Sequence, residues 1–123
     1  MALIEKIGLF LAACFSIVVI VSFPNYTVDD AYIVFRYSTN LVDFGELNWN
    51  VGEDPVEGYT GIMLSLLIAS LYKIGLAPVL ASKVITIFSY VLTGVMVYMF
   101  SKRLNFSPWI KLLSVALYCG APF

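Results

Sequence analysis

The sequence predicts an all-α integral membrane fold: part of a multi-span helical bundle, with an external loop that carries interfacial amphipathic helices. Three observations predict it. Hydrophobic residues make up 61% of the 123-residue chain and charged residues only 12%, about half the share usual for a soluble domain. The apolar residues fall in uninterrupted runs that approach or reach the length of a bilayer span. The acidic residues are segregated. Seven of the eight lie between Asn25 and Thr60, against one basic residue, Arg36, which gives that stretch a net charge of −6.

Several classes are excluded at once. The chain carries a net charge of −1 and no strongly basic stretch, so no nucleic-acid partner is expected. It has no histidine, and so lacks both the usual general base and the commonest metal ligand. Cys14 and Cys119 each sit in an apolar run without a CxxC spacing. They read as small buried hydrophobes and not as a zinc site or disulfide framework.

The elements follow in order. Residues 4–23 are apolar apart from Glu5 and Lys6 and form a first span, ended by Pro24 and Asn25. A cleaved signal peptide is disfavoured because no small-residue cleavage site follows the run. Leu11-Ala12-Ala13-Cys14 resembles a lipoprotein cleavage box, but the chain stays apolar beyond it. Residues 24–78 form an external loop with surface helices. Within it, residues 27–44 read as an amphipathic helix capped by Thr27, with Asp30 as the capping-box acid. Ile33, Tyr37, Leu41 and Phe44 make its apolar stripe, and Gly45 stops it. Residues 46–58 are irregular, with Trp49 placed as a headgroup anchor. Thr60 caps a second helix over 61–75. Residues 79–101 make a span that ends in Lys102 and Arg103, and residues 109–123 begin another. The whole chain is expected to be the N-terminal transmembrane portion of a larger protein.

The distribution of cations sets the topology. If 61–75 does not cross, Lys6, Lys102, Arg103 and Lys111 are cytoplasmic, with Arg36, Lys73 and Lys83 outside. If it crosses, Lys6, Lys73 and Lys83 are inside and the other cations outside. The first arrangement is better by one charge and suits the short run. Both leave residues 24–60 on the extracytoplasmic side.

The acidic loop holds the candidate chemistry. Adjacent residues on a helix project about 100° apart, so Asp29 and Asp30 need not share a target. One can face a cavity while the other serves the helix start. Asp29, Tyr32 and Arg36 together offer a base, a hydroxyl and an anion binder; the rival reading is a solvated helix start with a snorkelling arginine. Glu57-Gly58-Tyr59-Thr60-Gly61 turns tightly into a helix whose first amides suit an anion, against the rival and simpler reading of a plain capped helix start.

The run Asp29-Asp30-Ala31-Tyr32-Ile33, followed by Arg36-Tyr37, Asn40-Leu41, Gly45, Asn50, Gly52-Glu53 and Val56-Glu57-Gly58-Tyr59-Thr60, resembles the first external loop of polyprenyl-phosphate-sugar-dependent glycosyltransferases of the GT-C fold. The resemblance is to the branch that contains bacterial terminal arabinofuranosyltransferases. It implies an enzyme of the bacterial inner membrane that takes a polyprenyl-phosphate-linked sugar as donor. The implied acceptor is a hydroxyl of an envelope glycan, lipid or protein. It places the catalytic acid at Asp29 or Asp30, with Asp29 preferred because Asp30 has the capping role. Tyr32, Arg36, Glu57 and Tyr59 fall in the substrate-binding stretch. Some members of that family use a divalent metal at the loop acids. Asp29, Asp30 and Glu57 offer hard oxygen ligands suited to Mg²⁺, Mn²⁺ or Ca²⁺, though their spacing alone does not make a site. Family members carry further spans, so this chain alone is expected to be inactive. The rival readings are a small membrane subunit that binds a partner or lipid, and a fragment of a transporter.

Overall fold

The computed structural model describes residues 10, 27–56, 58 and 61–120. Apart from residue 10, the expected first span over 4–23 lies outside the described residues, as do Glu57, Tyr59 and Thr60. Among the described residues beyond 26 there are four helices and no strand: α1 (Asp29–Asp43), α2 (Ile62–Lys73), α3 (Pro78–Arg103) and α4 (Pro108–Gly120). The chain divides into two compact units. One covers residues 26–86 and the other, in its described part, residues 10 and 87–120.

In the first unit, α1 starts later than the sequence suggests. Val28, in extended conformation, occupies the N-cap, and no side chain caps the helix. The expected Thr27 cap with its Asp30 partner is therefore not made. The first turn is instead acidic, with Asp29 and Asp30 at the positive end of the helix dipole. At the other end the Gly45 stop is present, with φ +78°, a conformation that glycine adopts without penalty.

The buried face of α1 also differs from the expected stripe. Phe35 packs with Ile68 of α2 and Ala81 of α3, and Ala31, Val34, Leu71, Leu76, Val79 and Ile85 surround them. Ser38 is fully buried, and its hydroxyl donates to the Ser65 carbonyl at 3.0 Å. Phe44, the last member of the expected stripe, is 63% exposed. The stripe holds in part, with Tyr37 buried and Ile33 and Leu41 half-buried, but α1 is covered on two sides. Ala31, Val34, Phe35 and Ser38 meet the other helices, while Ile33 and Tyr37 meet the loop.

Helix α2 has 12 residues, about 18 Å at the usual rise. That is shorter than the roughly 30 Å of a bilayer's hydrocarbon core. It closes in a Schellman motif. The Gly75 amide donates to the Tyr72 carbonyl at 2.9 Å and the Leu76 amide to the Leu71 carbonyl at 3.1 Å. The accompanying apolar partners, Leu71 and Leu76, both belong to the core.

Helix α3 has 26 residues and a mean hydropathy of 1.8 over its most apolar stretch. At about 39 Å it is long and apolar enough to cross a membrane. Only 11% of that stretch is buried within the chain. Pro78 opens α3. At the first helical position the missing N–H costs nothing and the fixed φ suits the helix. Pro108 opens α4 in the same way. Asn105, with φ 54°, closes α3 in a second Schellman arrangement, through Phe106 to Ser101 and Asn105 to Lys102.

In the second unit, α3 and α4 are joined by tyrosines. The Tyr90 and Tyr118 rings stack at 5.0 Å. The Tyr90 hydroxyl donates to the Cys119 carbonyl at 3.0 Å, and the Tyr118 hydroxyl to the Tyr90 carbonyl at 2.9 Å. Cys119 is buried, as its apolar context implies.

Candidate functional site

The loop after α1 is held by side chains that replace the missing regular backbone pairing. Asn48 is its centre and is 96% buried, with a relative exposure of 4%. Its Nδ2 donates to the Glu53 carbonyl at 2.8 Å. Its Oδ1 accepts from the Trp49 amide at 2.8 Å and the Val56 amide at 3.1 Å. One amide side chain thus gathers both ends of an irregular segment, as asparagine does in turns. Asn40 on α1 ties that segment to the helix by donating to the Asn48 and Trp49 carbonyls at 2.8 and 3.1 Å. The Gly52 amide donates to Glu46 Oε2 at 2.8 Å, and Asn50 Nδ2 donates to Glu53 Oε2 at 2.7 Å.

Arg36 belongs to the same fastening. Its Nε donates to the Trp49 carbonyl at 2.9 Å and its Nη2 to Asn50 Oδ1 at 3.2 Å. Its Cζ lies 4.2 Å from the centroid of the Trp49 ring, a cation–π contact. Its guanidinium is exposed but engaged with the loop. Trp49, read from sequence as a headgroup anchor, is half-buried under that guanidinium.

Tyr37 is 1% exposed and completes the enclosure. Its hydroxyl donates to the Val56 carbonyl at 2.6 Å and accepts from the Gly58 amide at 3.0 Å. A Cβ on residue 58 would stand 2.9 Å from that hydroxyl, so only glycine lets the backbone come this close. This accounts for the glycine in the Glu57-Gly58-Tyr59 motif.

A hollow of about 290 Å³ lies between α1 and the loop. Ile33, Tyr37, Trp49 and Val56 line it along with Asn48, Asn50 and the acidic Glu53–Asp54 pair. Asp29 and Asp30 do not line it, and both are exposed. Their positions on α1 nevertheless differ. Asp29 precedes Ile33 by four residues and Tyr37 by eight, so it shares the loop-facing side of the helix, about 6 Å along the axis from Ile33. Asp30 lies about 100° around, at the border between Tyr37, seven residues on and facing the loop, and Val34, four residues on and facing the helix core. Tyr32 is 54% exposed, with its ring edge-on to Phe35 at 5.4 Å.

Among the described residues, no group of three or more histidine, cysteine, aspartate or glutamate side chains is placed to hold a metal ion. The third suggested ligand, Glu57, lies outside the described residues. Sequence reasoning missed Asn40 and Asn48 as the organisers of the loop. The available signal was the density of asparagines around the Gly52 turn. Comparison with known protein families, curated proteins and solved structures finds no match to this chain.

Proposed function

We propose that the protein acts in an integral-membrane glycosyltransferase of the GT-C type. It moves a sugar from a polyprenyl-phosphate donor to an acceptor hydroxyl on the extracytoplasmic side of a bacterial inner membrane. Asp29 is the general base. The reading rests on the resemblance carried by residues 29–60. The observation that favours Asp29 is its place on the loop-facing stripe of α1, one turn before the hollow at Ile33. Asp30, exposed at the border between the loop-facing and core-facing sides, keeps the role of an acid at the positive end of a helix.

In the reaction the Asp29 carboxylate takes the proton of the acceptor hydroxyl as its oxygen attacks the anomeric carbon. The bond from that carbon to the phosphate oxygen breaks, and polyprenyl phosphate leaves. A single displacement inverts the configuration. The leaving charge requires cations or helix-start amides. Within this chain the candidate is the N-terminal turn of α2, at Ile62. The span that anchors the site is α3, and α2 rests in the interface.

The test compares Asp29→Asn with Asp30→Asn in membranes that express the complete reading frame, assayed with a radiolabelled polyprenyl-phosphate sugar. Asp29→Asn is expected to lower turnover by about 10²-fold or more, the usual contribution of a general base, and Asp30→Asn far less. Full transfer by both natively folded variants removes the assignment. It would leave the non-catalytic subunit as the better reading.

A further inference from the structure

We propose that the hollow between α1 and the loop seats a neutral, hydroxyl-bearing ring: a sugar unit of the acceptor, and not the phosphate end of the donor. Naming that ring the acceptor rests on the glycosyltransferase reading. The binding chemistry of the hollow does not.

The volume, about 290 Å³, stands at the lower end of small-molecule sites and suits a single ring. The polar groups of the wall are unevenly committed. Tyr37, Asn48 and Asn50 already bond to the loop. Among the described residues, the Asp54 carboxylate has no hydrogen-bond partner, and Glu53 bonds through only one of its two oxygens. The uncommitted polar groups of the wall are therefore chiefly acceptors. Such a wall selects a ligand that brings its own donors.

A phosphate brings none at neutral pH and meets a stretch with a net charge of −6. The nearest cation, Arg36, is held by Trp49 and Asn50. The remaining wall, formed by Ile33, Val56 and Trp49, is apolar and accommodates the C–H face of a ring. A sugar combines donors, an apolar face and no charge. Asp29, about one turn along the same side of α1, would then stand beside a ring hydroxyl.

The experiment uses the chain in lipid nanodiscs. The Trp109→Phe background leaves Trp49 as the sole tryptophan, since the chain has two. Methyl arabinofuranoside, methyl mannopyranoside and methyl galactopyranoside are titrated while Trp49 emission is followed. At least one is expected to give a saturable change that added NaCl does not weaken. Val56→Phe, which fills the hollow from an exposed position, should abolish the change. Asp54→Asn should weaken binding about tenfold, as expected for losing a charged hydrogen-bond acceptor. No saturable change with any glycoside overturns the inference, as does an undiminished response in Val56→Phe. A salt-screened response to ethylammonium without one to glycosides assigns the hollow to cations and also overturns it. The Asp29→Asn assay is independent: a silent hollow with an inactive Asp29→Asn enzyme leaves the proposed function standing. A glycoside-binding hollow with a fully active Asp29→Asn enzyme retires the base and keeps the sugar site.

Discussion

The two compact units use hydrogen bonds in opposite ways. In the unit of residues 26–86, side-chain amides and hydroxyls bond mostly to loop backbone that has no regular partner. Asn40, Asn48, Arg36 and Tyr37 all do so. In the unit of residues 87–120, most of the backbone lies in helices and is already paired. Its tyrosines instead bridge one helix to another through terminal or surplus carbonyls. The apolar surface follows the same division. The first unit has a core around Phe35 and Ile68. The second leaves Phe88, Met96, Met99, Phe100 and Leu117 more than 60% exposed, which suits a lipid solvent better than water. Polar bonding defines the shape of the first unit, whereas in the second it fastens elements that already have theirs.

The largest test of that contrast is Asn48→Ala. It removes bonds to Trp49, Glu53 and Val56 and leaves two part-buried loop amides unpaired. A loss of about 2–4 kcal/mol within the loop unit is expected. Hydrogen exchange should show it in the amides of residues 46–56 while those of α4 stay protected. Equal deprotection of both would break the comparison. Tyr90→Phe is the counterpart. It removes one bond to the Cys119 carbonyl but keeps the stacked ring, so about 1 kcal/mol is expected, read as faster exchange in the last turn of α4.

Ser65→Ala acts with the opposite sign. The Ser65 hydroxyl is buried with no partner among the described residues, although its carbonyl receives Ser38. Removing an unsatisfied hydroxyl should leave stability unchanged or raise it by up to about 1 kcal/mol, measured by denaturant unfolding.

The smallest effect is a pH dependence. The Tyr72 hydroxyl donates to Asp43 Oδ2 at 3.3 Å. The Asp43 charge first, then desolvation and that hydrogen bond, holds the phenol above its ordinary value of 10.0. A raised folded-state value means the link contributes fully below about pH 10 and is lost as pH rises through the raised value. Titration of phenolate absorbance should therefore move downward at this position in Asp43→Asn.

Much of this architecture is legible in the sequence, because helices announce themselves by periodicity and punctuation. Gly45, Gly75 and the Lys102-Arg103 pair mark real ends, and α3 extends the expected span of 79–101 by a residue or two at each end. The stripe on α1 was read only in part, because a single periodic face was assumed where two sides are covered. The loop could not be read at all in this way. The bonds of Asn48 depend on where residues 53–56 return in space, and no fixed spacing encodes that. The acidic pair was visible at once, and Asp29 was preferred on the strength of a capping role for Asp30, but the helix makes no side-chain cap. The place of α1 between a loop and a core supplies a different ground for comparing the two.

That double coverage has a mechanical consequence. A rod clasped on opposite flanks cannot roll: Ser38 and Phe35 grip one side, while Asn40 and Arg36 grip the other. Turning α1 by a single residue would tear both grips at once. The azimuth of Asp29 is thereby fixed by side chains two and three turns away, while its own carboxylate stays at liberty in the water beyond.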